Sequence, residues 1–132
     1  MWFDSGQFYG LEQTMINSKG NIVVSDSENC RMQIFSPKGE YLFEFGSQKY
    51  KNKDIYVVTP ILVGINKHDD IIVQDRAMDK IYIFDSTGKF LFELDIPSML
   101  DGKPFAPGMV AANDNFIVVK NEHDDRVRVF SF

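Results

Sequence analysis

INSKGNIVVSDSENCRMQIFSPKGEYLFEFG, from Ile16 to Gly46, and INKHDDIIVQDRAMDKIYIFDSTGKFLFELD, from Ile65 to Asp95, are two copies of one unit. A shorter third copy, AANDNFIVVKNEHDDRVRVF, runs from Ala111 to Phe130. Phe35, Phe84 and Phe130 align across the copies and stand 49 and 46 residues apart. Inside the first copy, alternation and turn chemistry mark strands over Gln13–Asn17, Asn21–Asp26, Arg31–Phe35 and Glu40–Phe45. Gly20 supplies the positive φ of the first turn, and Ser36-Pro37-Lys38-Gly39 forms a hairpin with Pro early and Gly late. In the second copy Asp69-Asp70 replaces the first glycine turn and Ser86-Thr87-Gly88 closes the hairpin. The third copy has no fourth strand after Phe130.

A period in the forties with several short strands per unit is the signature of β-propeller blades. The expected fold is therefore all-β: a partial propeller of about three blades, each a four-stranded antiparallel sheet. Its blades span about 12–46, 60–95 and 107–131, the last lacking its fourth strand, and residues 1–8 form a link or closing strand. A blade packs its two faces on its neighbours, so a three-bladed arc is expected to leave the outer faces of its first and last blades bare. At about 25 cal/mol per Å², several hundred Å² of bare apolar surface costs roughly 10 kcal/mol. That rivals a domain's whole net stability of about 5–15 kcal/mol. Three outcomes are open: the chain is part of a longer propeller with a missing half, it self-associates into six blades with Met1 to Asp4 as the partner's fourth strand, or it stands as an open arc.

Composition narrows the partners. The 132 residues are 44% hydrophobic and 14% aromatic, enough for a packed core, with twelve Phe and five Tyr favouring strands. The net charge of −5 opposes non-specific binding to a polyanion, so DNA is not an expected partner. Cys30 is the only cysteine, which leaves no internal disulfide and no multi-cysteine metal site and fits a reducing, cytoplasmic setting. No apolar run is long enough to span a membrane, and Met1-Trp2-Phe3-Asp4 lacks the charged and apolar regions of a signal peptide.

The unit IVVSDSENCRMQIFSPKGEYLFEFG resembles the NHL repeat: an apolar strand ending in Asp, a polar turn with Asn and Arg, an apolar strand ending in Phe, then Gly and an aromatic strand. The second copy departs at the Asn and carries Lys80 in place of the Arg. The third keeps Arg126 but reads Lys120 at the Asp position. Gly6-Gln7-Phe8 resembles the Gly-x-Phe link into such blades. The chain is similar to the C-terminal half of the NHL domain of tripartite-motif (RING, B-box, coiled-coil) proteins. That resemblance implies a six-bladed ring whose last blade is closed by a strand from the other end of the domain. It also implies a non-catalytic role in binding protein or single-stranded RNA. Any ubiquitin-ligase activity would reside in a RING finger, and no RING motif occurs in these residues.

Charged residues offer candidate chemistry. Asp26–Arg31 and Asp75–Lys80 flank equivalent turns, and their recurrence favours a structural role over acid–base work. His68 and His123 sit beside carboxylates but in turns at opposite ends of a blade, so they are not expected to converge on a metal. Cys30 has no identifiable base, and no cofactor site is expected. Gln48-Lys49-Tyr50-Lys51-Asn52-Lys53 places three lysines around a tyrosine in an inter-blade link. The link is read either as a flexible solubilising loop or as a contact for single-stranded RNA or an acidic protein segment. It is expected on the ring face that also carries Arg31, Arg76, Lys80 and Arg126. The candidate binding residues are thus Arg31, Lys49, Tyr50, Lys51, Lys53, Arg76, Lys80 and Arg126. The other link, Pro97 to Pro107, reads as a fixed surface excursion. Some propellers of this kind perform metal-assisted lyase or hydrolase chemistry in the channel. The inner strands read here, Gln13–Asn17, Ile61–Asn66 and Met109–Asn113, offer no His or carboxylate for it.

Overall fold

The computed structural model describes residues 12–131. The Gly6-x-Phe8 link and the closing-strand assignment of residues 1–8 lie outside the described residues. Blade 1 is the antiparallel sheet β1 (Glu12–Ile16), β2 (Ile22–Asp26), β3 (Arg31–Phe35) and β4 (Tyr41–Phe45), in that order. A hairpin of β5 (Ser47–Tyr50) and β6 (Lys53–Tyr56) leads to blade 2: β7 (Pro60–Ile65), β8 (Ile71–Asp75), β9 (Lys80–Phe84) and β10 (Phe90–Glu93). A smaller hairpin of β11 (Met99–Leu100) and β12 (Lys103–Pro104) leads to blade 3: β13 (Pro107–Ala112), β14 (Phe116–Asn121) and β15 (Val127–Ser131). One 3-10 turn, Ser27–Asn29, joins β2 to β3. The fold is a partial β-propeller, and no helix among the described residues is long and apolar enough to cross a membrane.

Blade 2 is the centre of the packing. A strand sends alternate side chains to opposite faces, and in β8 all five residues are buried. Ile71 and Val73 join Leu62, Tyr82, Phe84 and Phe90 against Val23, Met32, Ile34 and Phe45 of blade 1. Ile72 turns the other way, with Ile81 and Ile83, against Ile117 and Val119 of blade 3. The run Ile-Ile-Val is apolar at every position because both faces are covered. The inner strands sit side by side, β7 touching β1 on one flank and β13 on the other. Met15, Val63, Gly64, Ile65 and Ala112 line a cleft of about 350 Å³ between them.

Blade 3 leaves an apolar face bare: Met109, Phe116, Val127 and Val129 are 76%, 46%, 53% and 55% exposed. Blade 1 exposes Ile16, Tyr41 and Leu42. On blade 1, Val24, Asp26 and Gln33 are buried, and the Asp26 carboxylate accepts from Asn29, Arg31 and Gln33.

The inner strands begin and end one or more residues earlier than the alternation predicts, because an asparagine ends each of them. The Oδ1 of Asn17 accepts from the N–H of Lys19 and Asn21, Asn66 from His68 and Asp70, and Asn113 from Asn115 and Phe116. A side chain that mimics a turn carbonyl competes with the strand ladder. Asp69, at φ 62°, takes the left-handed position that Gly20 holds at φ 83° in blade 1. The turns are also latched between blades: Asp69 accepts from the N–H of Ser18 at 2.9 Å, and Asp114 from that of Lys67 at 2.7 Å.

Two hairpin glycines separate backbone strain from packing. Gly39 has φ 85° with nothing near its missing Cβ. Gly88 has φ 84°, and a Cβ there would meet Phe45 of blade 1 at 2.7 Å. Gly39→Ala is expected to cost about 1–2 kcal/mol from the left-handed backbone alone. Gly88→Ala is expected to cost a further ~1–3 kcal/mol for overpacking. Urea unfolding midpoints of the two variants check the difference, which equal midpoints would refute.

Candidate functional site

The structure sorts the cations by what they already hold. Arg31, 11% exposed, bonds Asp26 and Glu44, each at 2.9 Å. Asp75 binds backbone N–H groups, the turn's included, rather than Lys80. The two face each other in register, but the buried Asp75 carboxylate accepts from the N–H of Val58, Thr59 and Ala77 at 2.8, 3.0 and 3.2 Å. Lys80 turns to Glu93 at 3.6 Å. The chain entering blade 2 brings N–H groups that have no ladder partner, and a buried carboxylate satisfies them better than a lysine screened by water would satisfy it.

The same position in blade 3 is Asn121, not Lys120. Ile117, Val119 and Asn121 face blade 2, as Ile71, Val73 and Asp75 face blade 1, and Asn121 Oδ1 accepts from the N–H of Ala106 at 3.0 Å. The sixth residue of β14, Phe116, is added at its start, and Asp75 and Asn121 each stand nine residues before Phe84 and Phe130. A buried polar clamp at the end of the second strand therefore pins the links into blades 2 and 3, and in blade 3 the sequence reading placed the Asp position one residue early.

Arg126 is also absorbed by the fold. It pairs with Asp124 at 3.0 Å and donates to the carbonyls of Leu100 and Pro104, tying β11–β12 to the β14–β15 turn. That bonding holds the Asp124 carboxyl well below the usual range. Arg76 is exposed in the β8–β9 turn, its N–H donated to the Thr59 carbonyl.

Residues 48–53 are not a flexible loop. They belong to the β5–β6 hairpin, which lies along the outer strand of blade 2. Gln48 donates to the Gly88 carbonyl and accepts from the Phe90 N–H, both at 2.9 Å, and the Tyr50 ring packs edge-on against Phe90 at 4.9 Å. Lys51, at φ 57°, turns the hairpin and lies 5.3 Å from the Tyr50 ring centre. Lys53 pairs with Glu93, and Lys49 lies 3.9 Å from Asp54. Burial raises the Glu93 carboxyl, but Lys53 and Lys80 outweigh that and hold it below the usual carboxylate range.

Of the eight residues singled out, five thus gather at one place. Lys49, Tyr50, Lys51 and Lys53 lie on the hairpin, and Lys80 joins them through Glu93. Arg31 and Arg126 belong to separate networks. Beneath the hairpin Tyr50, Lys51, Lys53, Ile55, Phe90 and Phe92 line a cleft of about 330 Å³ with an apolar floor and a charged rim. Phe90 and Phe92 are the residues that sequence reasoning missed. Their signal was present in the aromatic alternation of Phe90-Leu91-Phe92, read only as a blade strand.

Other candidate chemistry does not assemble. His68 and His123 are exposed in different turns, and no three His, Cys, Asp or Glu among the described residues gather to hold a metal. Burial, with the carboxylate of Asp75 near by, pushes the Cys30 thiol up, away from the nucleophilic thiolate.

The NHL repeat family model matches residues 14–35, from within β1 to the end of β3. No curated protein matches this chain. Among solved structures, the fold is similar to a streptogramin B lyase, with a TM-score of 0.55 and 15% identity over 90% of this chain and 39% of that one. It is also similar to selenomethionine-substituted virginiamycin B lyase from Staphylococcus aureus, with a TM-score of 0.54 and 15% identity over 90% and 40%. The chain spans about two fifths of the length of each. At this identity the likeness is one of fold, a β-propeller.

The clamp at Asp75 predicts a graded response. Asp75→Ala strands buried N–H groups and is expected to cost about 2–4 kcal/mol. Asp75→Asn, which copies Asn121, is expected to lose less than half of that. Urea unfolding of both variants measures it, and an Asp75→Ala midpoint equal to wild type would remove the clamp from the account.

Proposed function

We propose that this chain is a non-catalytic recognition module that takes an extended protein segment in the cleft between the β5–β6 hairpin and β10. The observation that carries the reading is the pairing of an apolar floor, Tyr50, Ile55, Phe90 and Phe92, with a rim of Lys51, Lys53 and Glu93. Phe92 is 43% exposed, a large aromatic side chain left open to solvent at the cleft. Recognition sites combine a few buried aromatic anchors with polar groups that orient the partner. The alternative ligand, single-stranded RNA, draws affinity from cations free to neutralise phosphates. Here Lys53 and Lys80 share Glu93, Lys49 faces Asp54, and Arg31 and Arg126 are bonded internally. That balance favours a protein segment over RNA. The NHL repeat match supports a binding role by analogy of fold. On this reading the chain serves a larger tripartite-motif-like ubiquitin ligase or RNA regulator as its substrate-binding part. The lyase activity named for the two solved structures stays with those proteins.

Peptides selected by display against the chain test the proposal. Selected peptides are expected to carry apolar or aromatic residues, to lose at least about tenfold in affinity on combined Tyr50→Ala and Phe92→Ala, and to vary little with salt. A twelve-nucleotide RNA that binds more tightly than any selected peptide, with steep salt dependence and loss in the Lys49→Ala, Lys51→Ala, Lys53→Ala triple variant, would replace this reading with the RNA one.

A further inference from the structure

The cleft under the β5–β6 hairpin does not end at Glu93. The same glutamate lines a second cleft, of about 340 Å³, with Met78, Asp79, Lys80, Asp95 and Ile96. The two clefts therefore meet at the last residue of β10. The hairpin stands at one end of the joined groove. The β8–β9 turn and the chain leaving β10 stand at the other. β10 is the outermost strand of its sheet. Glu93 lies opposite Tyr82, and the N–H of Leu94 donates to the Ile81 carbonyl. Backbone groups of successive residues point to opposite sides of a strand, so those of Glu93 point outward, toward whatever lies along β10.

Charge is spread unevenly along this groove. In its middle, Lys53 and Lys80 both bind Glu93. At the hairpin end, Lys51 is exposed, rests 5.3 Å from the Tyr50 ring centre and pairs with no carboxylate among the described residues. At the far end, Asp79 and Asp95 are exposed, and neither pairs with a cation among the described residues. Apolar surface accompanies the charge at both ends: Phe92 is 43% exposed beside the hairpin, and Met78 is 40% exposed beside the acids. The groove thus offers an aromatic floor with a free ammonium at one end and a methionine with two free carboxylates at the other.

We infer that the segment bound along β10 carries opposite charges on the two sides of its anchor. An aromatic residue sits on Tyr50 and Phe92, an Asp or Glu beside it meets Lys51, and a Lys or Arg further along meets Asp79 and Asp95. An extended segment rises about 3.3 Å per residue, and Asp95 follows Phe92 at the third position, so anchor and base stand about three or four residues apart. The inference rests on the recognition reading above and adds the charge pattern of the partner. That pattern fixes orientation: a segment laid the wrong way sets its acid against Asp79 and Asp95 and its base against Lys51. Because the two end charges offset each other, long-range attraction is small and binding varies little with salt.

Two selections from one random peptide library test the inference, one on the full wild-type chain and one on its Asp79→Asn, Asp95→Lys variant. Asn tolerates the left-handed backbone at position 79, where φ is 52°. The wild type is expected to enrich Lys or Arg about three or four residues from the aromatic, and the variant Asp or Glu at that place, with the aromatic kept in both. A peptide selected on the wild type is expected to bind the variant about fivefold more weakly. With its base changed to Glu, it is expected to return on the variant to within about twofold of the original affinity. Lys51→Glu is expected to reverse the preference on the other side of the aromatic. Peptides that depend on Tyr50 and Phe92 but show no preference for a base, or that bind wild type and variant equally, would overturn this inference and leave the recognition reading standing. Peptides indifferent to Tyr50→Ala and Phe92→Ala would overturn both.

Discussion

The middle sheet has to be apolar on both faces, and the rest of the molecule is arranged around that requirement. Ile71 and Val73 commit one face of β8 to blade 1, and Ile72 commits the other to blade 3. A two-sided strand cannot be stable with either neighbour missing, because each fully buried Ile or Val contributes about 1.5–3 kcal/mol only while its cover is in place. Blade 2 therefore depends on its neighbours more than they depend on each other. Blade 3, with one face covered and one bare, is the cooperative stack's weakest layer.

Stacking sheets creates a second problem: the chain must leave an outer strand and return to an inner one without stranding backbone groups. The links solve it with hairpins that bond to the next blade and with a buried acceptor at the end of the second strand. Asp75 holds Val58 and Thr59, and Asn121 holds Ala106. The consequence for function is that charges which look available in the sequence are spent on the fold. Arg126 is a strut between a link and a turn, and Lys80 and Lys53 converge on Glu93. What remains open is the aromatic floor under the β5–β6 hairpin.

The blades were legible because their signals are local: apolar alternation, hairpins closed by Gly39 and Gly88, and Phe35, Phe84 and Phe130 in phase. The β5–β6 hairpin was not. Ser47-Gln48-Lys49-Tyr50 has no apolar alternation, and what orders it is Gln48 bonding to Gly88 and Phe90, some forty residues away. The same reason hid the partner of Lys80, since Glu93 lies on a strand that reads as a plain blade element. Placing Lys120 at the Asp position of blade 3 is a slip of one residue: Asp26, Asp75 and Asn121 each stand nine residues before Phe35, Phe84 and Phe130, and a one-residue slip reverses every face. Of the site, the lysines and Tyr50 were visible as an unusual run. The cleft that gives them a use depends on folding.

Amide hydrogen exchange in β8 tests the dependence on two-sided burial most directly. The amides of Ile72 and Val73 are expected to exchange only through global unfolding. Ile34→Ala in blade 1 and Ile117→Ala in blade 3 are each expected to lower their protection by the full loss of global stability, about 2–5 kcal/mol. Amides of β8 that open locally, or that keep their protection when Ile117→Ala exposes only blade 3, would contradict the account.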